Sequence, residues 1–180
     1  MLSNIAIFGR TGSGKTTVAE YLAEKYGYAR SNVGSTVREI CKLLFNSESK
    51  TLLNQVCDAM KAIDENVWLR TALSTIASGQ LVVFDSMRFR NDYEYLSKQG
   101  FYLWKISAPL DVRIARLHER GQEFDPGIDE LYRGEVELEN YVFDSYIDNS
   151  ICDIYMLYKE IDRIINHMID KNQLKENHDL

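Results

Sequence analysis

Asn4-Ile5-Ala6-Ile7-Phe8-Gly9-Arg10-Thr11-Gly12-Ser13-Gly14-Lys15-Thr16-Thr17-Val18-Ala19 is the stretch from which the rest of this chain is read. Asn4 to Phe8 is apolar without alternation, the pattern of a strand buried on both faces. Gly9 to Gly14 then reads as a loop, and Lys15 to Tyr26 as a helix. In that helix Val18, Tyr21, Leu22 and Lys25 recur at helical spacing. Gly9 to Thr16 satisfies Gly-x4-Gly-Lys-[Ser/Thr], and the chemistry of phosphate binding needs each part of it. Glycines let successive backbone N–H groups converge on phosphate oxygens. The following helix adds the positive end of its dipole. Gly9, Thr11, Gly12, Ser13, Gly14, Lys15, Thr16 and Thr17 are therefore the expected nucleotide cradle. Lys15 should reach the β- and γ-phosphates of ATP, and the Thr16 hydroxyl should ligate Mg²⁺.

Further along, Leu81-Val82-Val83-Phe84 is a second continuous apolar run, closed by Asp85. An acid there stands at the carboxyl end of a strand, where it can support Mg²⁺ beside the loop. Phe101 to Ser107 and Tyr146-Ile147 are the remaining expected strands. Helices are expected over Thr36–Phe45, Thr51–Ile63, Val67–Ala77, Asp92–Lys98, Leu110–Arg120 and Asp153–Ile169. No strand is expected between the first helix and Leu81, and the polar tail from Lys171 is expected to fray. Strands separated by helices require right-handed crossovers, hence a doubly wound parallel sheet between two helical layers. The domain reading is one unit over residues 1–170, with an insertion over 35–78, a short lid over 116–135 and a tail over 171–180.

The 180 residues are enough for one domain with its own core. No apolar run approaches the roughly 18 residues of a membrane span, and no secretory pattern opens the chain. Cys41, Cys57 and Cys152 are dispersed without zinc spacing, the pattern of free thiols in a reducing, cytoplasmic setting. Net charge is −6, with residues 121–180 carrying 15 acidic and 5 basic side chains. That imbalance argues against nucleic acid as a partner, whereas the two segments before it, each at +2, suit a small anion. The acidic, tyrosine-rich stretch Tyr132–Tyr158 reads either as a homodimer interface or as an exposed acidic face.

Arg88 and Arg90 follow Asp85 within a turn and can meet an acceptor phosphate or the transferring group. Arg113, Arg116 and Arg120, at i, i+3 and i+7, suit a lid helix, with Arg116 and Arg120 the stronger candidates. In the insertion, Arg38, Lys61 and Arg70 are candidate acceptor contacts. Trp68 reads as a core side chain before a base-stacking one. Catalysis of phosphoryl transfer rests on positioning and on cations around the transferring group. Lys15, Asp85, Arg88, Arg116 and Arg120 are thus the expected catalytic set.

With these residues assembled, the chain resembles the nucleoside monophosphate kinase-like group of P-loop proteins. That group includes adenylate kinases and dephospho-CoA kinases, and the likeness is strongest to phage-type deoxynucleoside monophosphate kinases. It rests on Gly9–Ala19, on Thr51–Gln55 with Ile63–Trp68, on Asp85–Asn91, and on Lys105–Pro109 with Arg116–Gly121. The resemblance implies a three-layer P-loop NTPase fold and ATP-dependent transfer of phosphate to a small acceptor, a nucleoside monophosphate first. It also implies that Arg88 meets substrate phosphate and that Arg116 and Arg120 serve the lid. Dephospho-CoA or another small acceptor is the alternative within the same chemistry. A nucleotide-binding switch with slow or no hydrolysis is the alternative of another class. Two departures stand out: the lid is short and acidic, and Lys61 stands where an arginine is expected.

Overall fold

A computed structural model of the chain describes residues 2–74, 76–151 and 153–178, with side chains to residue 172. The first strand, β1 (Ile5–Phe8), sends alternate side chains to opposite faces of a sheet. Ile5 and Ile7 join a core that includes Val18, Leu22, Trp104, Ile106, Ile161, Ile165 and Met168. Ala6 and Phe8 join a second core that includes Leu69, Val82, Phe84, Leu96, Leu103, Leu138 and Phe143. Two apolar layers, one on each face, explain why β1 shows no polar alternation.

The other strands are β2 (Ala29–Ser31), β3 (Val82–Phe84), β4 (Tyr102–Ser107) and β5 (Ser145–Asp148). They lie parallel in the order β2-β3-β1-β4-β5. The chain runs from β1 outward on one side and crosses back over it to reach β4. The carboxyl end of β1 is thus the switch point at which ligands bind in such sheets. The doubly wound three-layer α/β expectation is borne out.

Helix α1 (Lys15–Tyr26) follows the glycine loop and ends on Gly27, in the left-handed region at φ 73°. Next come α2 (Gly34–Phe45), α3 (Lys50–Ile63) and α4 (Val67–Ser74), which pack around a small core of Val37, Cys41 and Trp68. Trp68 is buried and donates its indole N–H to the Cys57 carbonyl, so it is a core side chain. Cys41 and Cys57 are free thiols, while Cys152 lies outside the described residues, as does Thr75 of the expected Val67–Ala77 helix. Then follow α5 (Arg90–Lys98), α6 (Leu110–Glu119), two single-turn helices α7 (Pro126–Asp129) and α8 (Arg133–Val136), and the closing α9 (Ile154–His178).

Two sequence expectations are corrected here. A strand does lie between α1 and Leu81: β2 pairs with β3, and the ladder continues as Asp85 N–H donates to Ser31 O at 3.1 Å. At three residues, with Arg30 exposed, it is too short to display a periodicity. The chain also does not leave helical geometry at Lys171, because α9 runs on to His178. Polar Lys, Asn, Gln and Glu there read as a tail, yet most of them are adequate helix formers on an established helix. No helix among the described residues is long and apolar enough to cross a membrane.

Candidate functional site

The loop between β1 and α1 sits at the switch point, and its glycines are forced by close contacts. Gly12 (φ 82°) and Gly14 (φ 107°) occupy the left-handed region. A β-carbon on Gly12 would come within 2.9 Å of the Arg113 carbonyl, and one on Gly14 would strike the Asn149 amide. Helix α1 starts at Gly14 with no side-chain cap on its first N–H groups. Ser13 Oγ is buried without a hydrogen-bond partner among the described residues. Uncapped donors and an orphaned buried hydroxyl fit a phosphate ligand, since buried polar groups are otherwise paired. Thr16 is exposed and Thr17 half-buried on the first turn of α1.

Lys15 folds back over the loop, donating to the Gly9 carbonyl and to Arg10 O at 3.1 Å. Burial, with Arg88 nearby, pushes its ammonium down to about 8. Asp85, directly after β3, is 6% exposed and accepts from Ser86 Oγ at 3.3 Å. Its other carboxylate oxygen lies 3.7 Å from Arg30. Burial raises its pKa, with Arg30 and Lys15 opposing. Thr16, on the first turn of α1, and Asp85, directly after β3, are the hard oxygen donors that could hold a metal ion here. That is the small protein share expected of Mg²⁺ held mainly by phosphates and water.

The cations at the loop are met by acids that sequence reasoning missed. Glu135, on α8, is buried at 1% exposure and bonded twice to Thr11, by the backbone N–H at 2.6 Å and the hydroxyl at 2.7 Å. The same carboxylate pairs with the Arg88 guanidinium. Burial alone would raise its pKa, but Arg88, Lys15 and the Thr11 bonds outweigh it and hold the carboxyl at about 2. Glu130 takes a bidentate bond from Arg113 at 2.7 Å per arm and a second arginine, Arg10, at 2.6 Å. Glu139 pairs with Arg10 at 2.7 Å and with Lys105 at 2.6 Å. Glu130, Glu135 and Glu139 therefore face the loop, whereas Asp144, Asp148 and Asp153 of the stretch Tyr132–Tyr158 are exposed. Like charges along a sequence reveal a face, but not what that face meets.

The three arginines expected on one face divide. Arg113 is buried and structural, donating also to Ala108 O and Thr11 O. Arg116 reaches Asn149 O at 3.0 Å and Asn149 Oδ1 at 3.4 Å. Arg120 is exposed and caps α6, which stops at Glu119. Of the insertion residues, Lys61 donates to Asn91 Oδ1 (3.0 Å) and lies over the Phe89 ring. Arg70 is exposed and paired with Asp64, and Arg38 is exposed on α2 beside Gly34. Arg90 is exposed and paired with Glu94. The site thus gathers Lys15, Thr16, Asp85, Arg88 and Arg116, but not Arg38, Arg70 or Arg120. The segment that carries α7 and α8 touches α3 through Lys50–Asp129 (2.9 Å) and through Tyr132 donating to Asp58 (3.2 Å).

A family model described as an AAA domain matches residues 5–137, from β1 to just beyond α8. The chain belongs to that family. A cytidylate kinase of Methanococcoides burtonii is 28% identical over 178 residues, 88% of this chain and 96% of that protein. A cytidylate kinase of Caldicellulosiruptor saccharolyticus is 34% identical over 82 residues, 46% of this chain and only 34% of that protein's length. Among solved structures, shikimate kinase from Acinetobacter baumannii shares the fold at TM-score 0.60 and 17% identity, covering 93% of this chain and 94% of that one. The expected likeness to P-loop nucleoside monophosphate kinases is borne out.

Proposed function

We propose that this domain transfers the γ-phosphoryl group of ATP to the phosphate of a nucleoside monophosphate, making the diphosphate. The observation that carries the proposal is the placing of Arg88 against the phosphate loop through the carboxylate it shares with Thr11. A second fixed guanidinium beside the donor cradle suits an acceptor that is itself an anion, since arginine clamps phosphate oxygens in pairs. An acceptor phosphate is already a nucleophile and asks for no base. The carboxylate nearest Arg88, that of Glu135, is held too acidic to act as one. Thr16 and Asp85 would hold Mg²⁺, which when bound neutralises charge building on the β- and γ-oxygens.

In this reading the loop N–H groups and Lys15 bind the donor phosphates, Arg88 aligns the acceptor, and Arg116 supports the transferring group. A hydroxyl acceptor, such as that of dephospho-CoA, is the second reading, favoured by the buried carboxylate of Asp85 beside the loop, which in that case would take the hydroxyl proton instead of holding Mg²⁺. The test is steady-state kinetics of Arg88→Ala with the acceptor that the wild-type protein uses. A monophosphate acceptor predicts a rise in acceptor KM of roughly tenfold or more, the scale of a charge-assisted contact, with the KM for ATP little changed. An unchanged acceptor KM would remove Arg88 from that site.

A further inference from the structure

We infer that Asn149 is a positioning residue that holds the phosphate loop and Arg116 in one fixed relation; this rests on the kinase reading given above. Asn149 follows β5 and is 6% exposed, and its own N–H donates to Ser107 O at 2.8 Å, carrying the β4–β5 ladder one step further. The sheet therefore fixes its backbone. Its side chain leaves the sheet and bridges two other elements. Nδ2 donates to the Ser13 carbonyl at 2.8 Å, and Oδ1 accepts from Arg116 at 3.4 Å. Its main-chain carbonyl accepts from the same guanidinium at 3.0 Å.

The chemistry of these partners selects the amide. A carbonyl needs a donor and a guanidinium needs an acceptor, and a carboxamide offers both from one carbon. The reversed amide would set oxygen against oxygen and NH₂ against the cation, so the network also fixes its orientation. The contact reaches further into the loop through peptide geometry. In the planar trans peptide joining Ser13 to Gly14, C=O and N–H point in opposite directions. Drawing the Ser13 carbonyl to Asn149 turns the Gly14 N–H away from it, toward the concave side of the loop where phosphate oxygens would lie. Gly14 has no β-carbon, and that is what lets Asn149 approach. One amide thus orients a loop donor and steadies the arginine that closes over the same phosphates. Nothing in the Gly-x4-Gly-Lys-Thr pattern, more than a hundred residues earlier, points to it.

The test compares Asn149→Ala and Asn149→Asp, reading Tm, ATP affinity by calorimetry, and kcat and KM for both substrates. Both variants leave the Ser13 carbonyl without its donor, so ATP affinity should fall about tenfold in each, the scale of one unsatisfied buried acceptor. The aspartate keeps an acceptor for Arg116, so its kcat should stay nearer the wild-type value than that of the alanine variant. Acceptor KM should move less than threefold in either. In a cycle with Arg116→Ala, the losses in kcat of Asn149→Ala and Arg116→Ala should be less than multiplicative, because the part of the Asn149 effect that runs through Arg116 is already absent from Arg116→Ala, while the loss in ATP affinity, which runs through Ser13, should persist in the double variant. ATP affinity within twofold of wild type in both variants, or losses in kcat that multiply, would overturn the inference. Should the alanine variant fail to fold, the isosteric aspartate decides on ATP affinity alone. If the wild-type protein binds ATP but transfers phosphate to no acceptor, the functional reading falls while the binding arm still decides on Asn149.

Discussion

Glu135→Gln tests how the acidic lid is held to the loop. In the folded chain the carboxyl is held at about 2, against an ordinary value of 4.5. At about 1.4 kcal/mol per pH unit, that difference amounts to ~3 kcal/mol of stability at neutral pH. The side chain is 1% exposed, so solvent screening takes little from the figure. A second route gives a somewhat smaller cost: glutamine can still accept from Thr11 but leaves Arg88, 32% exposed, without its counter-charge, and losing a charge-assisted bond of this kind costs roughly 1–3 kcal/mol. A carboxyl with a depressed folded pKa stabilises above the unfolded value and loses that contribution as pH falls through the folded one. The wild-type advantage should therefore be full above pH ~5, fall to roughly half by pH ~3, and vanish below pH ~2. The assay is urea unfolding of both proteins from pH 7 to pH 3, extrapolated to water. A gap below about 1 kcal/mol at pH 7, or one that is unchanged at pH 3, would refute the reasoning.

Three other outcomes are expected. Binding of ATP should restore the proton that burial weakens on Lys15, whose ammonium sits at about 8; calorimetry in buffers of different ionisation enthalpy near pH 8.5 should register net proton uptake, and no uptake would contradict the placement of Lys15. Arg113→Met removes the bidentate partner of half-buried Glu130, which keeps Arg10, and should cost roughly 2 kcal/mol, the scale of the charge-assisted hydrogen bonds lost, a drop in Tm of about 4–8 °C for a domain of this size; a shift under ~2 °C would make the pair dispensable. Gly14→Ala must place a β-carbon against the Asn149 amide at φ 107°, so nucleotide binding should fall at least about tenfold while far-UV circular dichroism is retained; unchanged affinity would mean that the loop tolerates another shape.

The β1–loop–α1 unit was legible because its signals are local and agree: a continuous apolar run, glycines at the turn, and helical spacing after Lys15. Asp85 was legible for the same reason, as the acid ending a buried strand. β2 was not, because three residues on a sheet edge carry no period, and neither were α7 and α8, each a single turn. The sharper loss lay in the charges. Helical spacing put Arg113, Arg116 and Arg120 on one face but could not say which would meet Glu130, which Asn149 and which solvent. Glu135 and Glu139 read as part of an interface or an exposed acidic face, since their partners Thr11, Arg88 and Arg10 lie far away in sequence and meet them only in the folded chain. Lys61, read as an acceptor contact, is engaged by Asn91 and Phe89, both within the motif that follows β3.

The most direct measurement incubates the wild-type protein with γ-labelled ATP and Mg²⁺ against a panel of ribo- and deoxynucleoside monophosphates, with dephospho-CoA and an acceptor-free control alongside. Label appearing in the diphosphate of one or a few monophosphates, and absent with Lys15→Ala, is the predicted result. Label confined to a hydroxyl acceptor, or released to water at the same slow rate whatever is added, would contradict a phosphate acceptor at Arg88.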